Sequence, residues 1–197
     1  MNIEEQKQYF CTLAEEKITH DGVKELLTFL KNNTDFFVSP CSTRYHLCVE
    51  GGLVQHSINV AKIFDELCET YYPELSVSSR YLCGLFHDLC KYHCYAPVKK
   101  SRKTGRLLPN GKPEWEDYYG YDFDEQFPYG HGEKSVYLLS KFIELTDEES
   151  MAIRWHMGFS DSTFKGGQQS VSNAMCKYPI ITLLHCADII ATTIFEE

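Results

Sequence analysis

The sequence predicts an all-α fold: a helical bundle with one β-hairpin or flap inserted at about residues 96–125. Three observations carry the prediction. Apolar residues recur at helical spacing through most of the chain, as in Leu53, Val60, Ile63 and Leu67. Helix start and stop residues flank these stretches, among them Thr146-Asp-Glu-Glu149, Pro73 and Pro179. Residues 93–130 alone break the pattern, being rich in Tyr, Lys, Gly and Pro around Pro109-Asn110-Gly111-Lys112. Asn-Gly favours the left-handed conformations of a tight hairpin turn.

Taken in order, residues 3–18 and 22–33 read as two amphipathic helices, with Asp21 as N-cap of the second. Phe36-Phe37-Val38-Ser39-Pro40 ends that pattern. A helix follows Gly51-Gly52, carries His56 on its apolar face and stops at Pro73. Residues 77–92 form the next helix and hold His87-Asp88. The flap follows. Cationic Lys99, Lys100, Arg102, Lys103 and Arg106 stand in its first half, and Glu114, Glu116, Asp117, Asp122, Asp124 and Glu125 in its second. The simplest reading pairs these charges across the hairpin. The functional alternative has the flap reaching over a site. Glu133 to Leu145 is expected to be helical, and Thr146 with Glu149 makes a capping box for a helix to about Trp155. Residues 157–172 read as loop. The last helix, Ile180 to Ile194, is apolar nearly all round and is expected to be buried.

The chain has 197 residues, 43% hydrophobic and 24% charged. One domain of that size buries roughly 70% of its unfolded surface. We expect a single domain over 1–197, with N-terminal helices to residue 35, a core over 44–192 and the flap over 93–130. No apolar run approaches the roughly 20 residues of a membrane span, and the N-terminus lacks signal-peptide character, so a cytoplasmic protein is expected. Nine cysteines are scattered without a Cys-x-x-Cys pair, which reads as reduced thiols. Cys90 and Cys94 would make only half a zinc site. The net charge of −9 disfavours a protein that coats long nucleic acid. It leaves room for a small anionic substrate at a metal, because the ion inverts the local field.

The chemistry-bearing residues are His56, His87, Asp88, His131, His156 and Asp188. A carboxylate amid Leu, Phe and Cys, as at Asp88, needs a partner. Asp188 stands in the apolar last helix, and His185, one turn earlier, is its local candidate. Each histidine has an ordinary explanation: a core ring for His56, a capping ring for His131, a C-terminal ring satisfying carbonyls for His156. A shared metal explains all six at once, because neutral imidazole and carboxylate are both good ligands.

This ordered set resembles the HD domain superfamily of metal-dependent phosphohydrolases over roughly residues 44–192. The stretch Tyr45-His-Leu-Cys-Val-Glu-Gly-Gly-Leu-Val-Gln-His-Ser is similar to the family's opening helix. Phe86-His-Asp-Leu-Cys-Lys91 is similar to its name-giving doublet, and Leu184-His-Cys-Ala-Asp188 to its closing aspartate. The resemblance implies His56, His87, Asp88 and Asp188 as metal ligands. It implies His131 and His156 as the extension of dinuclear members, with Asp88 bridging. The expected cofactor is one or two divalent ions (Mn, Fe, Ni, Co or Mg), and the expected catalytic residues are Asp88 and Lys91. Lys91, Arg154, His46 and Arg44 are candidates for binding a small phosphorylated substrate, with a nucleotide expected. For Lys91 the alternative is a solvated cation, and for Arg154 an exposed helix arginine. An HD-type di-iron oxygenase, a short-oligonucleotide nuclease and a purely structural metal site stay open at this stage.

Overall fold

The computed structural model describes residues 2–161 and 169–196. Its helices are α1 (Ile3–Lys17), α2 (Val23–Asn33), α3 (Gly52–Tyr71), α4 (Val77–Phe86), α5 (His131–Leu139), α6 (Asp147–Trp155), α7 (Ser170–Lys177) and α8 (Ile180–Ile190). Two antiparallel strands, β1 (Tyr95–Leu107) and β2 (Pro113–Phe123), lie between α4 and α5. The protein is thus mostly helical, and a strictly all-α description gives way to helices plus a two-stranded sheet.

Local chemistry sets most of these boundaries. Asn2 caps α1, accepting from the Glu5 N–H while the Glu5 carboxylate accepts from the Asn2 N–H. Thr146 and Glu149 form the expected box at α6. Gly22, not Asp21, precedes α2, and no side chain caps that helix. The strands meet in the expected register around Pro109–Lys112, with a bulge between Lys103 and Leu107. Cross-strand ion pairs form at Lys99–Asp117 (2.6 Å), Lys100–Asp122 (2.8 Å) and Arg102–Glu116 (2.7 Å).

Four expectations are corrected. The helix before the flap ends at Phe86, and only a 3₁₀ turn, Leu89–Lys91, continues it. The helix from His131 stops at Leu139, where the chain turns so that Ile143 enters the core. Part of the stretch read as loop forms α7, while residues 162–168 lie outside the described residues. The last helix buries one face (Ile180, Ile181, Leu184, Ala187), leaves Ile189 exposed, and passes into a π turn at Ala191–Phe195.

Phe10 anchors the core, meeting Phe36, Phe37 and Phe86 edge-on at 5.4–5.7 Å. α3 packs against α4 and α8. Two glycines allow the close approaches that matter for the site. A Cβ on Gly84 would lie 2.5 Å from Ala61 Cα, so α4 and α3 touch backbone to backbone. A Cβ on Gly132 would lie 2.1 Å from the Arg154 carbonyl oxygen, which seats the start of α5 on the end of α6. Among the described residues no single helix is long and apolar enough to cross a membrane. The pair Ser170–Lys177 and Ile180–Phe195 passes on length and composition together but is bent by 108°. All nine cysteines are free.

Candidate metal centre

Five helices deliver the six candidate residues. α3 carries His56, the end of α4 carries His87 and Asp88, α5 opens with His131, His156 follows α6, and α8 carries Asp188. His87 and His156 use the same local device. Each sits at a helix C-terminus, where carbonyls lack backbone partners. The His87 Nδ1–H donates to the Gly84 carbonyl (2.9 Å), and the His156 Nδ1–H donates to the Ile153 carbonyl (2.7 Å). A carbonyl only accepts, so both protons sit on Nδ1 and both Nε2 lone pairs face inward. For His156 the ordinary explanation accounts for Nδ1 and leaves Nε2 as a candidate ligand atom.

The inward atoms converge. His56 Nε2 lies 3.2 Å from His87 Nε2, 3.3 Å from Asp188 Oδ1 and 3.5 Å from Asp88 Oδ2. His131 Nε2 lies 2.7 Å and His156 Nε2 3.5 Å from Asp88 Oδ1. The ligand atoms of His56, His87 and Asp188 lie within 4.8 Å of one another, as do those of His87, Asp88 and His156. His56, His87, Asp88 and His156 are almost wholly buried.

The donor set fits a divalent cation. His56 Nε2 and His87 Nε2 stand 3.2 Å apart, a spacing that a shared proton or a bound cation makes favourable. Glu196 holds His56 in the required orientation, its Oε2 accepting from His56 Nδ1 at 2.9 Å and its Oε1 from the Asn59 amide at 2.8 Å. A carboxylate behind a histidine is the usual support of a metal-ligating imidazole. Electrostatics agree. Burial pushes His87 down to about 3, so it stays neutral. Burial would raise the Asp88 carboxyl, yet Lys91 and His131 hold it well below the carboxylate range. Burial works against a charged His131 too, but the negative charge around it, with Asp88 in contact, lifts it to about 10. His56 is likewise raised against burial, with Asp188 and Glu196 in contact.

A cavity of about 710 Å³ opens on this cluster, bordered by Asp88, Lys91, His131 and Asp188. His46 also borders it, its ring 5.0 Å from that of His56. Lys91 is not a solvated cation: Nζ sits 2.6 Å from Asp88 Oδ2 and 3.5 Å from Cys41 Sγ. Arg44 is exposed and does not border the cavity. Arg154 does not border it either. It is paired with Glu133 and with Asp161 (2.9 Å), its guanidinium 3.9 Å from the Trp155 ring centre, so an exposed helix arginine is also the wrong description. His185 donates to the His156 carbonyl (2.7 Å) and does not serve Asp188. Cys94 faces Lys134 Nζ (3.2 Å), Glu125 (3.6 Å) and the Cys90 carbonyl (3.2 Å), a polar network in place of half a zinc site.

Three contributors escaped the sequence reading. Glu196 lies 140 residues from His56, and no local pattern marks it. Cys41 approaches His46 Nε2 at 3.1 Å, and Cys90 approaches His131 Nδ1 at 3.5 Å, so thiols border a set that reads as purely His and Asp. Thiols with neighbouring histidines are a common signal, but nine cysteines offer no way to choose between them.

Comparison with curated proteins and with solved structures returned no match. The family model described as HD domain matches residues 53–192, a span that includes all six converging residues. HD domains are associated with metal-dependent hydrolysis. A match over that much of the chain, with its histidines and aspartates gathered in one cluster, places this protein in the HD domain family.

Proposed function

We propose that the protein is a metal-dependent phosphohydrolase or phosphodiesterase acting on a nucleotide or other small phosphoester. The observation that carries this reading is the convergence of four imidazole Nε2 atoms and two carboxylates in one cluster, which Asp88, His131 and Asp188 open to a cavity. His56, His87, Asp88 and Asp188 would hold one ion, and His131 and His156 would complete a second site that shares Asp88. Bound there, such ions would supply Lewis acidity toward a phosphoryl oxygen and lower the pKa of a water.

The chain's own residues do the rest. Asp88 presents two oxygens in different directions, Oδ1 toward His131 and His156 and Oδ2 toward Lys91 and His56. Lys91 carries three donors and spends one on Asp88 and one on Cys41 Sγ, which leaves one N–H for an anionic oxygen entering the cavity. Burial alone would discharge Lys91, but Asp88 at 2.6 Å keeps it charged. His46 and Tyr95 form part of the wall, and the Tyr95 hydroxyl is anchored on the Cys41 carbonyl (2.9 Å). The base of the hairpin, through Tyr95 and Phe123, lies at the cavity as a flap would.

The test is elemental analysis of the purified protein followed by turnover of a nucleotide and phosphodiester panel with added Mn, Co, Fe, Ni or Mg. We expect one or two ions per chain and release of phosphate or nucleoside. Absence of turnover with every metal across the panel refutes the hydrolase reading, and oxygen uptake by an iron-loaded sample would move the site to oxidative chemistry.

A further inference from the structure

Paired residues of an antiparallel hairpin share a face. Tyr95 pairs with Phe123, Pro97 with Tyr121, Lys99 with Tyr119, Ser101 with Asp117 and Lys103 with Trp115. One face of the hairpin therefore carries Phe123, Tyr121, Tyr119 and Trp115, with Lys103 beside Trp115 and with Lys99 paired to Asp117 (2.6 Å). Tyr119 is 82% exposed, Phe123 62% and Trp115 58%. The opposite face is closed by the Lys100–Asp122 and Arg102–Glu116 pairs, with Arg102 also lying over Tyr118.

This aromatic row begins at the candidate metal centre. Phe123 borders the same cavity as Asp88 and Lys91, and its ring packs edge-on against Tyr95 at 5.9 Å. Alternate strand residues stand about 6.8 Å apart, so the row runs outward roughly 27 Å from Phe123 to Trp115. Charge follows the same path. Between Tyr95 and Phe123 six Lys and Arg stand against four carboxylates, with Asp124 and Glu125 directly after, so the hairpin is far less acidic than the rest of a chain of net charge −9. Lys103 lies 5.7 Å from the Trp115 ring centre.

We propose that this face is a stacking platform for a single-stranded oligonucleotide whose end enters the cavity. The proposal rests on the hydrolase reading and names its substrate class. A chain of alternating π-faces and phosphates is the ligand whose chemistry repeats as the face does. Its bases stack on rings in any sequence, and a phosphate meets Lys103 beside Trp115. The ester at its end reaches Lys91 and the metal ligands. Coating of long nucleic acid stays disfavoured, because the rest of the chain is strongly acidic.

The experiment measures anisotropy of fluorescein-labelled oligothymidylate and oligouridylate with the full-length, Mn-loaded protein. The variants are Trp115→Ala, Tyr119→Ala and Lys99→Ala/Lys103→Ala. Stacking is worth ~1–3 kcal/mol per base, so each lost ring should weaken binding about tenfold. Lys99 is already neutralised by Asp117, so the double variant should flatten the salt dependence by about 0.7 in log–log slope, the share of Lys103. Melting temperature and metal content report that the variants fold and load. Oligonucleotides binding no tighter than thymidine monophosphate, or with an affinity that ignores both ring variants, would overturn the platform. So would a dimer of the native protein that Trp115→Ala dissolves, since the face would then belong to a second copy. Hydrolysis of bis-p-nitrophenyl phosphate reports the parent reading separately. A protein that cleaves it but ignores oligonucleotides loses only the platform. One that binds them through the rings and cleaves nothing loses only the hydrolase.

Discussion

Gly84 offers the sharpest test of how the fold sets the site. It lies on α4 three residues before His87 and faces Ala61 on α3, which also carries His56. In Gly84→Ala the new Cβ would fall 2.5 Å from Ala61 Cα and 2.9 Å from its Cβ, where ordinary contact begins at 3.4 Å. The helices must separate by about 0.9 Å at that point. Removing a helical glycine gains up to ~1 kcal/mol of propensity, but overpacking costs ~1–3 kcal/mol, so a net destabilisation is expected. Metal affinity should suffer more than stability. His56 and His87 Nε2 stand 3.2 Å apart, and ligand distances tolerate only about 0.2 Å. Calorimetric titration with Mn should show binding at least tenfold weaker, alongside a lower melting temperature. Ala61→Gly in the same chain should rescue only partly, because the nearest clash is with the Cα and not the methyl group. A variant that melts with the native protein and binds Mn equally well would refute backbone contact between α3 and α4 as the determinant of the site.

Other outcomes follow from neighbouring contacts. Glu196→Gln keeps the shape but weakens the carboxylate support of His56 Nδ1, and Mn affinity should fall 10–100-fold with little change in melting. Asp188→Ala should lower the metal content found by elemental analysis and cut kcat on any substrate found by more than a hundredfold, while circular dichroism still shows the helical fold. Glu125 accepts from buried Lys134 Nζ at 2.7 Å, so Glu125→Gln should cost on the order of 1–3 kcal/mol at neutral pH. Burial would raise the Glu125 carboxyl, but the Lys134 contact lowers it overall. Its stabilisation is therefore present above the unfolded value of about 4.3 and is lost as pH falls through the folded one. Melting curves of the native protein and Glu125→Gln should converge in acid, and a gap that persists there contradicts the ion pair.

What the sequence determined by itself is what depends on near neighbours. Thr146 and Glu149 cap α6 because their partners lie three residues away, and Asn110-Gly111 turns the hairpin through backbone preferences of its own. The six candidate ligands were legible because a buried Asp or His amid apolar residues needs a partner wherever that partner lies. Tertiary structure decided which groups those partners were. Arg154 and Lys91 are both cations within a turn of a candidate ligand, yet one is spent on Glu133 and Asp161 and the other faces Asp88 at the cavity. His185 is one turn from Asp188 but turns to the His156 carbonyl. Glu196, Cys41 and Cys90 entered the site only through packing of α3, α4, α5 and the last turn. Side-chain direction and long-range proximity are set by helix packing, and a linear pattern carries information about periodicity and burial but not about which distant atom fills the space beside it.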